Sequence, residues 1–258
     1  GKLETLFMTL EDKKGKLGMD LFSGLDNLVD LNIEFGETFT FQPEMFAYLP
    51  SLESLRLRQS FFQIVPEFFT YLEHLKSLDL QNFDLCILED NIFGSLVSLE
   101  SLNLENTFLE EIEDQAFAGL GELRELNLGG NRFKPISSCV FLPLKKLKKL
   151  SLSKLSRSCK LNGLFANLVS LEKLDLSSNE LKSIDSGVFQ GLESLRKLNL
   201  SLNKITIIDA NSFCELKELR KLKLNKNKIM SIEAGTFARL DKLEELNLTL
   251  NPIKKFEM

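Results

Sequence analysis

Few side chains in this chain of 258 residues have the types and spacing that catalysis needs. The one histidine, His74, has no serine or cysteine nucleophile arranged around it, and no glycine-rich loop is placed to cradle a phosphate. None of the four cysteines belongs to a CxxC pair, and one histidine cannot complete a zinc site. We therefore expect a protein that is not an enzyme and that uses neither a cofactor nor a metal.

Lysines, in contrast, show a regular spacing that could serve binding. Four of them recur at one constant interval: Lys149, Lys173, Lys197 and Lys221. Lys223 and Lys226 follow close behind. If positions separated by this interval stack, the ammonium groups form a strip suited to an anionic partner, with Asp175 as the only acidic neighbour expected within the strip. The alternative is a row of solvated surface lysines, because stacked like charges cost only about a few tenths of a kcal/mol per pair.

The spacing of the lysines is the period of a repeat that runs through the chain. Its frame places Leu171, Leu174, Leu176 and Asn179 at offsets 0, +3, +5 and +8. Eleven copies begin at Leu3, Leu28, Leu52, Leu75, Leu99, Leu123, Leu147, Leu171, Leu195, Leu219 and Leu243. A Leu-x-Leu unit alternates its side chains as a short strand does, and one such strand cannot bury its leucines alone.

Stacking of the copies would solve that burial problem. Neighbouring strands would form a parallel sheet with one continuous leucine core. The Asn side chains, which both donate and accept hydrogen bonds, would satisfy backbone groups where the chain leaves the sheet. A Phe-x-x-Leu motif in ten copies is expected to fill the wider, convex side of the core.

This pattern resembles the leucine-rich repeat superfamily, in the 24-residue class typical of extracellular proteins, a form that Toll-like receptor ectodomains and Slit-like or adhesion proteins share. The resemblance implies an α/β fold: a right-handed solenoid, or horseshoe, with a parallel β-sheet on its concave face and loops and short helical turns on its convex face. Residues 1–258 then form one domain of about eleven repeats. Neither end carries the cysteine-rich caps that secreted members usually have, so we expect the chain to be the middle of a longer ectodomain.

The resemblance also implies non-catalytic recognition of a macromolecule outside the cell, through the concave face. An innate-immune receptor or a secreted immune factor is the first candidate, a cell-adhesion or guidance protein the second, and an intracellular substrate-recognition scaffold the third. The expected partner is a protein or glycan ligand, and no nucleic acid is expected. No apolar run approaches the length of a membrane-spanning helix, so this segment should not contact a membrane; a C-terminal anchor outside it and a dimer both stay open.

Charge is distributed unevenly along the chain. Residues 1–130 hold 8 Lys and Arg against 24 Asp and Glu, a net charge of −16, whereas residues 131–258 hold 24 against 13, a net of +11. Sequence position is spatial position in a solenoid, so one end should be acidic and the other basic. The acidic residues expected on the concave face are Asp30, Glu34, Asp79, Glu105 and Glu125, with Arg56 and Arg58 among them. A partner of mixed charge could lie along both halves, or opposite ends of two molecules could associate head to tail.

Two features interrupt the regular pattern. Phe61 and Phe108 stand at offset +9, usually a solvent position, where they either cover the gap left by a missing Asn or form a contact patch; packing is the favoured interpretation. Repeat seven departs after Leu152, since Arg157 and Lys160 replace its aliphatic residues. This predicts an irregular loop, either a partner contact or a neutral surface excursion.

Covalent modifications would bear on the compartment. Cys139 and Cys159 lie in neighbouring repeats and flank the irregular loop, so a disulfide between them is geometrically feasible. Asn199 and Asn247 begin glycosylation sequons on the expected concave face, although Leu-Asn-Leu-Ser is a frequent accident of this repeat. A disulfide or an occupied sequon would argue for secretion, and four free thiols would argue against it.

Overall fold

One strand from each repeat enters an eleven-stranded parallel sheet. The computed structural model describes residues 2–10, 20–35, 42–58, 64–155 and 161–257. The strands of repeats one to eleven are Thr5–Leu10, Asp30–Phe35, Ser54–Arg58, Ser77–Asp79, Ser101–Asn103, Glu125–Asn127, Lys149–Ser151, Lys173–Asp175, Lys197–Asn199, Lys221–Lys223 and Glu245–Asn247. Neighbours in this sheet are successive repeats of the chain, which confirms the predicted solenoid.

The register of the sheet joins residues at equal repeat offsets. Leu174 pairs with Leu150 on one side and with Leu198 on the other, and all three leucines are buried. The flanking Lys173 and Asp175 keep contact with solvent on the opposite, concave face. Burying a leucine side chain contributes about 1.5–3 kcal/mol, so a slip of one residue would expose the core and is strongly disfavoured.

The convex side is built from turns, short helices and two-residue strands. The described residues contain three 3₁₀-helices and no α-helix: Pro43–Tyr48, Pro66–Phe69 and Ser138–Phe141. Three small parallel sheets pair Ile87–Leu88 with Glu111–Ile112, Ser183–Ile184 with Ile207–Ile208, and Ser231–Ile232 with Lys255–Phe256. In the part of the chain that the structure describes, no helix is long and apolar enough to cross a membrane.

Phenylalanines stack in the core behind the sheet, as the repeat predicts. The rings of Phe93 and Phe117 are parallel within 6° and lie 6.5 Å apart, and Phe117 and Phe141 repeat that arrangement at 6.3 Å. Phe189 and Phe213 stack at 5.9 Å in the C-terminal half. These rings are fully buried, so they fill space that a smaller side chain would leave empty.

Asparagine at offset +8 holds neighbouring repeats together in the way the sequence predicts. The Asn203 amide donates to the carbonyls of Leu176, at 2.9 Å, and Leu200, at 3.0 Å. Its side-chain oxygen accepts from the Leu181 amide at 3.2 Å. With a longer bond of 3.3 Å to the Ser201 carbonyl, one buried side chain contacts four backbone groups from two repeats, where the chain leaves the sheet.

Repeats four and five replace this asparagine with other side chains. Phe83 is fully buried, and Thr107 donates its hydroxyl to the Leu104 carbonyl at 2.8 Å. Phe108 is 51% exposed, so the favoured interpretation that it packs over the gap is wrong for this residue. Thr107 and Asn131 already satisfy the backbone beneath it, which leaves the ring no buried space to enter. Phe61 lies outside the described residues.

Candidate functional site

Four lysines stand on four consecutive rungs of the concave face. Lys173 pairs directly with Lys149 on one side and with Lys197 on the other, and Lys197 pairs with Lys221. Adjacent strands lie about 4.8 Å apart, so the four side chains leave the sheet as a single row. Each lysine stands at a strand's first residue, and the buried leucine that follows it fixes the direction of the side chain toward the concave face.

The lysine row lies in a groove of about 740 Å³ that runs across the strands of repeats five to eleven. Its lining includes the four lysines, Lys223, and polar residues such as Asp175 and Asn199. Lys226 is not part of that lining; it is exposed, with a backbone φ of 58°. The structure therefore brings five of the six sequence-predicted lysines together and separates the sixth.

The ends of the row are neutralised, which corrects the expectation that Asp175 is its only acidic neighbour. Glu125 and Glu245 occupy the same offset in the flanking repeats and pair in register with Lys149 and Lys221. Lys149 forms an ion pair with Glu125, and the Lys221 ammonium lies 2.7 Å from the Glu245 carboxylate. The strands that flank the lysine row are as close to its end strands as the strands of the row are to each other. Glu125 and Glu245 therefore lie within reach of the end lysines.

The Lys221–Glu245 pair perturbs the ionisation of both groups. The hydrogen bond from Lys221, followed by its charge, lowers the pKa of Glu245 below the usual value. The same hydrogen bond and the charge of Glu245 raise the pKa of Lys221. Both groups therefore stay charged across the neutral range, and the pair contributes no net charge to the groove.

The lining of the groove has a net charge of +2, because its five lysines stand against Glu125, Asp175 and Glu245. Lys173 and Lys197 are exposed, and neither makes an ion pair with any residue that the structure describes. Asp175 lies in the groove but is used locally: it accepts the Ser177 amide at 2.8 Å and the Asn199 amide at 3.2 Å. Within the row, the arrangement leaves Lys173 and Lys197 as adjacent ammonium groups without an ion pair, and Lys223 adds a third unpaired lysine to the groove.

The predicted acidic concave patch is not one continuous cluster. Asp79 accepts from Arg56 and from Arg58, each at 2.9 Å, and Glu125 belongs to the lysine row. Glu105 lies 3.9 Å from Lys154, while Asp30 and Glu34 lie on the strand of repeat two. The expected patch is therefore partly neutralised, because arginines and lysines one or two repeats away reach its carboxylates.

The sequon asparagines are both half-buried at strand ends, where their side chains cap the exit of the chain from the sheet. The Asn199 oxygen accepts from the Ser201 amide and hydroxyl, at 3.2 and 2.7 Å, and the Asn247 oxygen accepts equivalently from Thr249. Asn199 also lines the groove. Glycosylation of either residue stays a prediction.

The other sequence-predicted features lie partly outside the described residues. Cys139 is an exposed free thiol, and its predicted partner Cys159 lies outside the described residues, so their bond stays a prediction. Arg157 and Lys160, of the irregular loop in repeat seven, also lie outside them. No group of His, Cys, Asp and Glu suited to a metal is present among the described residues.

The sequence places both glutamates in the row of the lysines, but their ion pairs with the end lysines were not predicted. Glu125 stands one repeat before Lys149, and Glu245 stands one repeat after Lys221, each at the offset of the lysines. That position in the flanking repeats was the available signal for both pairs.

Comparison with known proteins agrees with this architecture. The family model for the leucine-rich repeat matches residues 97–154, 169–229 and 217–258, and a BspA-type leucine-rich repeat model matches residues 6–108 in six copies. The chain therefore belongs to the leucine-rich repeat family. No curated protein sequence matches it.

Solved structures similar to this chain include those of TLR13 and of Toll. A TLR13 chain, from a complex with the single-stranded RNA ssRNA13, is 27% identical with a TM-score of 0.71 over 98% of this chain. A Drosophila Toll chain, from the Toll–Spatzle complex, is 23% identical with a TM-score of 0.78 over 96%. This chain spans 40% of the TLR13 chain and 35% of the Toll chain.

Proposed function

We propose that this chain is the ligand-recognition region of an extracellular, receptor-type leucine-rich repeat protein, and that its concave groove binds an anionic macromolecule. The observation that carries the proposal is the pair Lys173 and Lys197, adjacent, exposed and without an ion pair among the described residues. Two ammonium groups on strands about 5 Å apart repel each other by up to about 1 kcal/mol in water, and an anion between them replaces this repulsion by attraction.

The neutral ends of the row favour a partner centred on repeats eight and nine. Lys149 and Lys221 already have carboxylate partners, so a ligand gains less from them than from the central pair. Polar side chains that line the groove, Asn199 and Ser151 among them, lie beside the charges. The groove thus suits a flexible or narrow anion that follows the solenoid axis.

A role in innate immunity is the finer part of the proposal. Support comes from the similar folds of TLR13, solved with an RNA, and of Toll, solved with the protein Spatzle. The RNA in the TLR13 complex weakens the expectation that no nucleic acid binds, so RNA is included among the probes below.

The test measures binding of three labelled polyanions: a sulfated polysaccharide, polyglutamate and a single-stranded RNA oligonucleotide. Fluorescence anisotropy is recorded over a salt series for the wild type and for a double variant, Lys173→Ser with Lys197→Ser. We expect at least one probe to lose about tenfold in affinity, with a salt slope reduced by about one to two.

The matched control removes the same charge elsewhere. Lys145→Ser with Lys217→Ser changes two exposed lysines outside the groove, neither of which forms an ion pair among the residues described. An equal loss of affinity in this control, or no binding of any probe at low salt, would contradict the proposal. The pattern across probes identifies the class of anion.

A further inference from the structure

A second row of side chains lines the groove beside the lysine row. It stands at offset +4, two residues further along each strand, and we call it the polar row. Its members in repeats five to ten are Asn103, Asn127, Ser151, Asp175, Asn199 and Lys223. Offsets +2 and +4 share one face of a strand and lie about 6.6 Å apart along it. A polymer that binds along the lysine row therefore also meets the polar row.

Asp175 is the acidic member of the polar row, and part of its hydrogen-bonding capacity is unused. One carboxylate oxygen accepts the Ser177 amide at 2.8 Å, and the other accepts the Asn199 side-chain amide at 3.2 Å. An ionised carboxylate has about four acceptor sites. Asp175 is partly exposed and forms no ion pair with Lys173 or Lys197 among the residues that the structure describes. Its remaining acceptor sites are therefore available to a ligand in the groove.

This carboxylate makes the centre of the groove selective among anions. An anion held by Lys173 and Lys197 lies close to Asp175, and the two negative charges repel each other. A ligand that has hydroxyl groups beside its anionic groups avoids part of this cost. Its hydroxyls can donate to Asp175 while its anionic groups neutralise the lysines, and hydrogen bonds to an ionised acceptor are among the stronger ones.

The other side chains of the groove favour the same kind of ligand. The cations of the lining are all lysines, which act as point charges, whereas planar arginine is the residue suited to bidentate binding of phosphate. Of the described residues, none that lines the groove carries an aromatic ring on which an unpaired base could stack. The neutral polar residues of the lining are serines and asparagines, which suit hydroxyl groups.

We infer that the ligand of the groove is an acidic polysaccharide, a sugar polymer with sulfate or carboxylate groups, and that Asp175 selects it. This inference rests on the proposed function, since Lys173 and Lys197 bind the anionic groups. The hydroxyls of a sugar stand on carbons next to those that bear the acidic groups. One stretch of the polymer therefore reaches the lysine row with its charges and the polar row with its hydroxyls.

The test compares wild type with Asp175→Asn by fluorescence anisotropy at constant low salt. The labelled probes are a sulfated polysaccharide, a polyuronate, inorganic polyphosphate and a single-stranded RNA. Asparagine keeps the shape of the side chain but loses its charge and part of its acceptor capacity. We expect affinity for at least one polysaccharide to fall by about threefold or more, and affinity for polyphosphate, which has no hydroxyl donors beside its charges, to rise by about twofold.

Glu105→Gln is the matched control. Glu105 accepts the Asn127 side-chain amide at 3.3 Å, as Asp175 accepts that of Asn199, but it does not line the groove. The control removes one negative charge from the same half-buried environment, so it should leave the ratio of polysaccharide to polyphosphate affinity unchanged. Thermal unfolding of both variants is measured alongside. Asp175→Ser repeats the test if the asparagine variant unfolds, because Ser151 already stands at this offset in repeat seven.

The direction of the changes decides the outcome. A rise in affinity for every probe would mean that Asp175 only repels anions, and an equal fall for every probe would mean that it only supports the strand; either result overturns the inference. A selective loss of RNA binding would assign the groove to nucleic acid and overturn it as well. In all three cases the proposed function stands as long as Lys173→Ser with Lys197→Ser weakens polyphosphate binding. If no probe depends on those lysines, the proposed function itself fails.

Discussion

The N-terminal and C-terminal halves share one backbone arrangement but join neighbouring repeats through different side chains. The contrast is between repeats four and five and repeats eight to eleven. In the C-terminal repeats, Asn203 and its equivalents bond backbone groups of two repeats at once. At the same offset, repeat four buries Phe83, and repeat five uses Thr107 to reach one carbonyl. The comparison shows that this position accepts either a hydrogen-bonding side chain or a buried aromatic ring, provided that no buried backbone group loses its hydrogen-bond partner.

The first prediction tests that comparison by placing the asparagine of the C-terminal repeats at the equivalent position of repeat four. Phe83→Asn should destabilise the fold by about 4 kcal/mol, because it removes a fully buried ring and leaves a void. Urea unfolding followed by circular dichroism measures the loss. A stability equal to the wild type would mean that the asparagine alone defines this position.

The second prediction concerns the hydrogen-bonding asparagine of the C-terminal half. Asn203→Ala should cost about 2–3 kcal/mol, since two carbonyls and one amide lose their partner in the core. The same urea experiment applies, with Asn225→Ala as a control at an outward-facing position two residues after the strand. If both variants lose the same stability, the buried hydrogen bonds are not the cause.

The smallest expected effect is a change in the pKa of Glu245, which should respond to the lysine at one end of the row and not to the lysine at the other. The folded-state pKa of Glu245 lies below its usual value because Lys221 donates to it. The ionised carboxylate therefore contributes stability above its unfolded pKa, and this contribution is lost as pH falls through the lower folded pKa. Lys221→Ser should raise the pKa of Glu245, as followed by NMR titration, whereas Lys149→Ser, at the other end of the row, should leave it unchanged.

Most of the fold could be predicted from the sequence, because the repeat dictates it. Leu174 is buried since its neighbours at the same offset, Leu150 and Leu198, are leucines too. The placement of the candidate site could be predicted less completely. The lysine row was expected, but the neutralisation of its ends was not, since ion pairing depends on which side chains reach across a rung.

The exposure of Phe108 could not be deduced from its offset. An aromatic residue beside a missing asparagine favours a packing role, yet Thr107 and Asn131 complete the backbone hydrogen bonds beneath it. The ring therefore remains half in solvent. The local sequence pattern favours packing of Phe108, but the hydrogen bonds of the neighbouring repeat determine whether the ring is buried.

The sequence by itself determined the period, the parallel sheet, the family resemblance and the opposite charges of the two ends, because in a solenoid equal offsets become neighbours in space. Only the tertiary structure decided which charges stay free: Glu125 and Glu245 neutralise the outer lysines and leave Lys173 and Lys197 exposed. It also left Lys226 out of the lining of the groove. The physical reason is that a repeat fixes where the backbone lies, whereas ion pairs and exposure depend on how far each side chain reaches from it.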